Sequence, residues 1–133
     1  MRLKKGLREK INEIEKLSAK KDGLNFIIAL NYGGRDEILR AIKKICEKTL
    51  KNEIEPNNLN EELVNNFLDT KEIINPDLVI RTGGEKRLSN FLLWQIAYSE
   101  LYFCNKLWPD FDKNDLIEAI KEFSRRNRKF GGN

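Results

Sequence analysis

The sequence contains no histidine at all. This absence excludes Ser-His-Asp and Cys-His nucleophilic schemes, histidine-ligated metals and histidine general bases. Cysteine is nearly as scarce, because Cys46 and Cys104 are the only two and they lack a C-x-x-C spacing. Neither a zinc site nor a redox pair is therefore indicated. Any catalysis must depend on carboxylates, cations and backbone dipoles, with a hard metal bound through oxygen as the remaining option.

Long apolar runs are also missing from these 133 residues. No stretch approaches the roughly 18 apolar residues that a membrane-spanning helix needs. Residues 1–8 are basic and lack the apolar segment of an export signal, so we predict a cytoplasmic protein. The length suits one domain, residues 1–133, although it is short for a complete multilayer enzyme.

The net charge of +4 is unevenly distributed. Residues 1–21 carry eight basic and three acidic side chains, and residues 121–133 carry five and one, so the middle of the chain is acidic. No long basic face is interleaved with aromatic residues, as a general nucleic-acid surface would require. We therefore expect no nucleic acid among the partners.

Apolar periodicity predicts alternating helices and strands. A first helix is predicted over residues 2–20, and apolar residues from Ile38 to Cys46 mark a second. Three more helices are predicted, at 60–67 with Asn60 as the N-cap, from Ser89 or Asn90 onward, and after an Asp112 N-cap. Strands are predicted over residues 24–30, 77–82 and 101–103, and the first of these also fits a buried helix. The two longer strands are apolar on both faces, which is typical of a covered parallel sheet. The sequence therefore predicts an α/β fold, a parallel sheet with flanking helices, whose sheet needs further strands or a partner.

Two glycine turns follow the two longer strands, Gly33-Gly34 and Gly83-Gly84. Ligands of open α/β sheets bind beyond the carboxyl ends of strands, where helix N-termini present unpaired amides to anions. The second turn also gathers cationic and hydroxyl side chains, namely Arg81, Thr82, Lys86, Arg87 and Ser89. Arginine forks match phosphate oxygens, so this loop predicts a phosphate or diphosphate site. An ordinary solvated loop has the same composition, and no P-loop or dinucleotide motif is present, so that alternative stays open.

Two carboxylates, Glu85 and Glu100, have the chemistry of Mg²⁺ ligands. Magnesium is commonly held by few protein oxygens together with substrate phosphates. Surface acids and ion-pair partners look the same in a sequence, so both interpretations of these carboxylates stay open.

A longer pattern is more specific than a generic phosphate loop. Residues 77–103 read DLVIRTGGEKRLSNFLLWQIAYSELYF, and Trp-Pro-Asp-Phe follows at 108–111. This stretch resembles the C-terminal signature of the cis-prenyltransferases, in particular the bacterial undecaprenyl diphosphate synthases. The turn at residues 31–35 and the terminal residues 128–132 resemble two further motifs of that family, so the likeness covers nearly all of the chain.

The resemblance implies a fold and an activity. It implies a cis-prenyltransferase-type α/β layer in a homodimer, and a Mg²⁺-dependent condensation of isopentenyl diphosphate onto an allylic diphosphate. The product would be an undecaprenyl diphosphate-type lipid carrier for cell-wall glycans, with peripheral membrane contact through that lipid. By position, Arg81, Arg87 and Ser89 match residues that grip the diphosphate of isopentenyl diphosphate. Glu85 and Asn90 of the same loop are predicted to bind that substrate with them. Glu100 matches the carboxylate linked to Mg²⁺ and that substrate.

The sequence departs from the family pattern in two places. Lys129 stands where the family has an arginine, and the N-terminal segment with an Asp-Gly-Asn phosphate loop and the catalytic aspartate has no counterpart. The chain therefore resembles the C-terminal portion of such an enzyme, and we predict that it is incomplete and inactive when isolated. A non-catalytic partner subunit of a prenyltransferase is the alternative, and a generic domain that binds phosphorylated metabolites is a weaker one.

Overall fold

The structure, a computed structural model, describes residues 4–126. Its contacts divide the chain into two units, Met1–Tyr32 and Gly33–Asn133. Within residues 4–126, no helix is both long enough and apolar enough to cross a membrane. Lys129, which stands in place of the family's arginine, and the terminal motif at 128–132 lie outside the described residues.

The first unit contains one helix, α1, which spans Lys5–Ser18. The predicted helix is confirmed. Most of its apolar side chains are exposed to solvent, and Leu17 is 71% exposed. The predicted strand at residues 24–30 is wrong, because no strand is formed there and Phe26 is 80% exposed. A strand exists only when its backbone pairs with a neighbour, and no neighbour within residues 4–126 pairs with this segment.

The second unit begins with α2, Gly34–Leu50, and continues through a 3₁₀ turn at Pro56–Asn58 to α3, Glu61–Asn65. The predicted Asn60 cap is confirmed, since its Oδ1 accepts a hydrogen bond from Leu63 N at 2.8 Å. Ala41 and Ile45 of α2 are buried in a small apolar core. The other apolar members of that core are Leu68, Ile96 and Ala119.

The sheet has two parallel strands within the described part of the chain, β1 at Leu78–Arg81 and β2 at Glu100–Phe103. Leu78 pairs with Glu100 and Arg81 pairs with Phe103. Helix α4, Lys113–Arg125, packs on β2 and is capped by Asp112 as predicted. The predicted α/β fold with a parallel sheet and flanking helices is therefore confirmed.

The helix predicted from Ser89 or Asn90 is wrong. Residues 89–98 form bends and hydrogen-bonded turns instead. The backbone φ angles are positive at Ser89, Asn90 and Leu92, with values of 50°, 64° and 43°. A right-handed helix cannot continue through such residues. The apolar pattern of this segment reflects side chains directed into the core at separate turns, as Ile96 is.

Candidate functional site

The loop after β1 is held by a left-handed glycine turn. Gly83 and Gly84 have φ angles of 84° and 74°, which side chains rarely tolerate. The amide of Gly83 donates to Lys106 O at 2.7 Å, and that of Gly84 donates to Cys104 O at 2.9 Å. These bonds extend the pairing of the two strands beyond their ends. The direction in which the chain leaves β1 is therefore fixed by the backbone.

Arg81 and Arg87 come together at this end of the sheet. They line one side of a pocket of about 250 Å³ with Thr82, and the rest of the lining is apolar: Val79, Ile80, Leu88, Phe91, Leu101 and Phe103. The Nε atom of Arg81 is buried and has no hydrogen-bond partner among residues 4–126. A buried donor without a partner is costly, so this atom is suited to bind an acceptor from a ligand.

Arg87 is paired with Glu85, whose Oε2 accepts a hydrogen bond from Arg87 Nη1. Both side chains are largely exposed, so the pair contributes little to stability but restricts where the guanidinium lies. Ser89 and Asn90 follow in the turn, and the lining that the structure describes for the pocket includes neither of them. The geometry therefore brings together Arg81, Arg87 and Glu85, with Ser89 nearby in sequence.

Asn90 contacts the start of α2. Its backbone carbonyl accepts a hydrogen bond from Gly34 N at 2.7 Å, and its Oδ1 accepts one from Arg35 N at 2.9 Å. The expectation that α2 presents unpaired amides to an anion is therefore wrong for these two groups. No helix follows the Gly83-Gly84 loop either, so the cationic groups at this end of the sheet are the arginine side chains and not a helix N-terminus.

Glu100 lies at the other end of the strand pair. It is the first residue of β2 and pairs with Leu78, whereas Arg81 pairs with Phe103. The backbone of Arg81 therefore lies three residues, or about 10 Å, further along the strand pair than that of Glu100. Within one chain, the structure therefore does not bring Glu100 together with the arginines of the loop.

An arginine at the end of α4 holds Glu100. Arg126 Nη1 donates to Glu100 Oε2 at 2.8 Å and to Leu101 O at 2.9 Å, and Nη2 donates to Glu122. Hydrogen bonds to Glu100 and then Glu122 raise the pKa of Arg126 above its usual range. Glu100 thus already has a cationic partner, which it shares with Glu122, and the sequence analysis did not anticipate this contact.

The placement of the carboxylates bears on the predicted magnesium site. Residues 4–126 contain no group of three or more carboxylate or thiolate side chains that could hold a metal ion. Glu85 and Glu100 are each paired with an arginine and lie at opposite ends of the strand pair. The Mg²⁺ site stays a prediction, because magnesium is commonly held by few protein oxygens together with substrate phosphates.

Sequence reasoning also missed a buried carboxylate on α2 that joins three segments of the second unit. Glu37 is 1% exposed and accepts hydrogen bonds from Asp69 N at 2.9 Å and from Gln95 Nε2 at 3.0 Å. The signal was present, because Glu37, Ala41 and Ile45 follow each other at four-residue spacing along the buried face of α2.

The parallel α/β layer and its loop define a class, α/β proteins with a cationic glycine loop at the carboxyl end of a strand. Residues 1–131 match the prenyltransferase family model of undecaprenyl diphosphate synthase. The chain is 48% identical over 130 residues to an isoprenyl transferase of Chlamydia pneumoniae, covering 98% of this chain and 52% of that protein. It is 51% identical over 126 residues to the farnesyl-diphosphate-specific ditrans,polycis-undecaprenyl-diphosphate synthase of Yersinia pseudotuberculosis, covering 95% and 50%.

A solved structure is also closely similar. The lavandulyl diphosphate synthase of Lavandula x intermedia, in complex with dimethylallyl diphosphate, superposes with a TM-score of 0.94 and 41% identity. The alignment covers 98% of this chain and 56% of that structure. The chain therefore belongs to the undecaprenyl diphosphate synthase family of prenyltransferases. It spans about half the length of the curated relatives that it matches.

Proposed function

We propose that this chain provides the isopentenyl diphosphate site of a cis-prenyltransferase, which condenses that substrate with an allylic diphosphate to make an undecaprenyl diphosphate-type lipid carrier. The observation that carries the proposal is the unpartnered, buried Nε of Arg81 beside Arg87 in one pocket. Family membership supports a prenyl diphosphate as the class of ligand, because the relative from Yersinia pseudotuberculosis is named for farnesyl diphosphate and the lavender enzyme holds dimethylallyl diphosphate.

The lining of the pocket includes side chains suited to each part of the substrate. The guanidinium groups of Arg81 and Arg87 supply planar, permanently charged donors for the diphosphate oxygens. The apolar lining, which includes Leu88, Phe91 and Phe103, is suited to a five-carbon isoprenyl group. Thr82 also belongs to the lining and adds a hydroxyl group.

The remaining assignments are parts of the same proposal. Ser89, Glu85 and Asn90 are proposed members of the diphosphate loop. Glu100 enters as the predicted carboxylate of a magnesium-dependent site in a homodimer, since within one chain it lies about 10 Å from the level of Arg81. No step of the proposal depends on the metal. A cytoplasmic location and peripheral membrane contact through the lipid product stay predictions.

Calorimetry with isopentenyl diphosphate tests the site directly. Arg87→Ala removes a charge-assisted contact, which is typically worth about 1.5 to 3 kcal/mol, so the affinity should fall about tenfold or more. Lys43→Ala is the matched control, because it removes one positive charge from an exposed position on α2. The proposed site is refuted when Arg87→Ala binds as tightly as the wild type, or when the control loses as much affinity.

The predicted inactivity of residues 1–133 alone is a separate claim. An assay with isopentenyl and farnesyl diphosphates and Mg²⁺ should show no chain elongation by these residues. Elongation would contradict the predicted incompleteness without affecting the binding site. Recovery of a related full-length chain in a pull-down would instead support the alternative of a non-catalytic partner subunit.

A further inference from the structure

We propose that Asn90 is a positioning residue, which anchors the diphosphate loop to α2 and does not itself contact the diphosphate. This inference rests on the proposed function of the loop, which we define as residues 81–90. One end of that loop is fixed by β1 at Arg81. The other end lies three residues beyond Arg87, where Asn90 meets the first turn of α2.

The acceptors of Asn90 are occupied by the helix. Its backbone oxygen accepts from Gly34 N at 2.7 Å, and its Oδ1 accepts from Arg35 N at 2.9 Å. Asn90 therefore satisfies two of the amides that a helix N-terminus otherwise leaves unpaired. The left-handed φ of 64° at Asn90 is tolerated well by asparagine, and it allows the backbone and side-chain oxygens to serve adjacent amides.

The one donor of the Asn90 side chain is also on the helix side. A diphosphate only accepts hydrogen bonds, so the side chain of an asparagine could bind it through Nδ2 alone. That nitrogen lies 2.9 Å from the position that a Cβ on Gly33 would occupy. The φ of −154° at Gly33 suits any residue, so what glycine provides there is room for the Asn90 side chain and not a special backbone conformation.

Gly34 makes the same approach possible one residue later. A Cβ on Gly34 would lie 2.9 Å from Leu93 Cγ and 3.0 Å from the backbone nitrogen of Leu93. The turn that follows the loop therefore rests directly on the backbone of α2. The sequence suggested the Gly33-Gly34 pair as a second anion site. In this structure the pair is instead the surface on which the end of the diphosphate loop docks.

Three variants separate positioning from direct binding. Asn90→Gly keeps the left-handed backbone without strain but removes the Oδ1 contact, and Asn90→Asp keeps an oxygen for Arg35 N while adding a negative charge. Gly34→Ala disturbs the docking from the helix side, outside the loop. Each variant is measured by calorimetry with isopentenyl diphosphate and by hydrogen exchange of the Arg35 amide.

Positioning predicts a specific order of affinities. Asn90→Gly and Gly34→Ala should each weaken binding about fivefold, the equivalent of one hydrogen bond, and Asn90→Gly should speed the exchange of the Arg35 amide. Asn90→Asp should keep that amide protected and bind more tightly than Asn90→Gly. Direct contact predicts the reverse, because a carboxylate against a diphosphate would be the weakest binder.

The outcomes are distinguishable from failure of the proposed function. Wild-type protein that does not bind isopentenyl diphosphate overturns the proposed function and this inference with it. Wild-type binding together with an Asn90→Asp affinity below that of Asn90→Gly overturns the inference alone. So does faster exchange at Arg35 in Asn90→Gly with no loss of affinity. Gly34→Ala keeps the test valid if the Asn90 variants prove unstable.

Discussion

The buried carboxylate of Glu37 offers the sharpest test of how α2 is held within the second unit. Glu37 is 1% exposed and joins α2 to two other segments, through Asp69 N at 2.9 Å and Gln95 Nε2 at 3.0 Å. Gln95 Nε2 also donates to Thr70 Oγ1 at 2.8 Å. Glu37→Ala removes both acceptors at once, whereas Glu37→Gln keeps the shape and replaces one acceptor by a donor.

The expected magnitudes follow from these contacts. Hydrogen bonds to a charged group contribute about 1.5 to 3 kcal/mol each, but removing the buried charge also recovers part of its desolvation cost. We therefore expect Glu37→Ala to lower the free energy of unfolding by about 3 kcal/mol. For a chain of this size, about 4 °C of Tm per kcal/mol gives a shift of about 12 °C.

Glu37→Gln should be much milder because Gln95 can adapt. Gln95 Oε1 is buried and has no hydrogen-bond partner among residues 4–126. Rotating the Gln95 amide by half a turn presents this oxygen to the new side-chain amide, and the hydroxyl of Thr70 can then donate to it. One polar atom of the Gln95 amide is unpaired in both proteins, Oε1 before the rotation and Nε2 after it. The free energy of unfolding should therefore fall by about 1 kcal/mol.

Urea unfolding followed by tryptophan fluorescence measures both variants. Trp94 precedes Gln95 and donates to Asn65 Oδ1 at 2.7 Å, so its emission reports on this part of the core. The reasoning is refuted if Glu37→Gln destabilises the protein as much as Glu37→Ala does. It is equally refuted if Glu37→Ala costs less than about 1 kcal/mol, since the two hydrogen bonds would then carry no net stability.

Two further predictions concern charge and capping. The hydrogen bond from Arg40 lowers the pKa of Asp69. The contribution of this pair to folding stability is therefore complete above the ordinary aspartate pKa, and it is lost as the pH falls through the lowered pKa. Because both side chains are partly exposed, Asp69→Asn should remove less than about 1 kcal/mol at neutral pH, and urea midpoints measured against pH should lose part of their acid slope; an unchanged slope would contradict the pairing. Asp112→Ala removes the oxygen that caps α4 at Asn114 N, 2.6 Å away, and should cost about 1 kcal/mol in urea unfolding, while Asp110→Ala just outside the helix should cost little. Equal losses in these two variants would show that the cap contributes nothing specific.

Local rules explain why much of this fold could be predicted from the sequence. Asn60 and Asp112 were predicted as caps and do cap α3 and α4, because a cap requires only side-chain and backbone groups a few residues apart. The strands β1 and β2 were predicted for the same reason, from apolar residues rich in branched and aromatic side chains. The family signature then directed attention to Arg81 and Arg87, which the structure places in one pocket.

Long-range contacts explain the errors. Phe26 lies in a run that has the composition of a strand, yet pairing depends on a neighbour that composition does not specify. Leu92 lies in a run with helical periodicity, yet its φ of 43° breaks a helix at that point. Nothing within a few residues of Asn90 predicts that its oxygens would accept hydrogen bonds from the amides of Gly34 and Arg35, more than fifty positions earlier.

The sequence by itself determined the chemistry of this protein: which loop carries arginines, which residues cap helices, and which family the chain resembles. Those properties are set by residue types at short spacing, which a linear reading preserves. Only the tertiary structure decided which groups meet. It placed Arg81 beside Arg87, separated Glu100 from both and paired it with Arg126. These outcomes depend on strand register and on chain reversals, where the φ of single residues such as Asn90 sets the path of everything that follows.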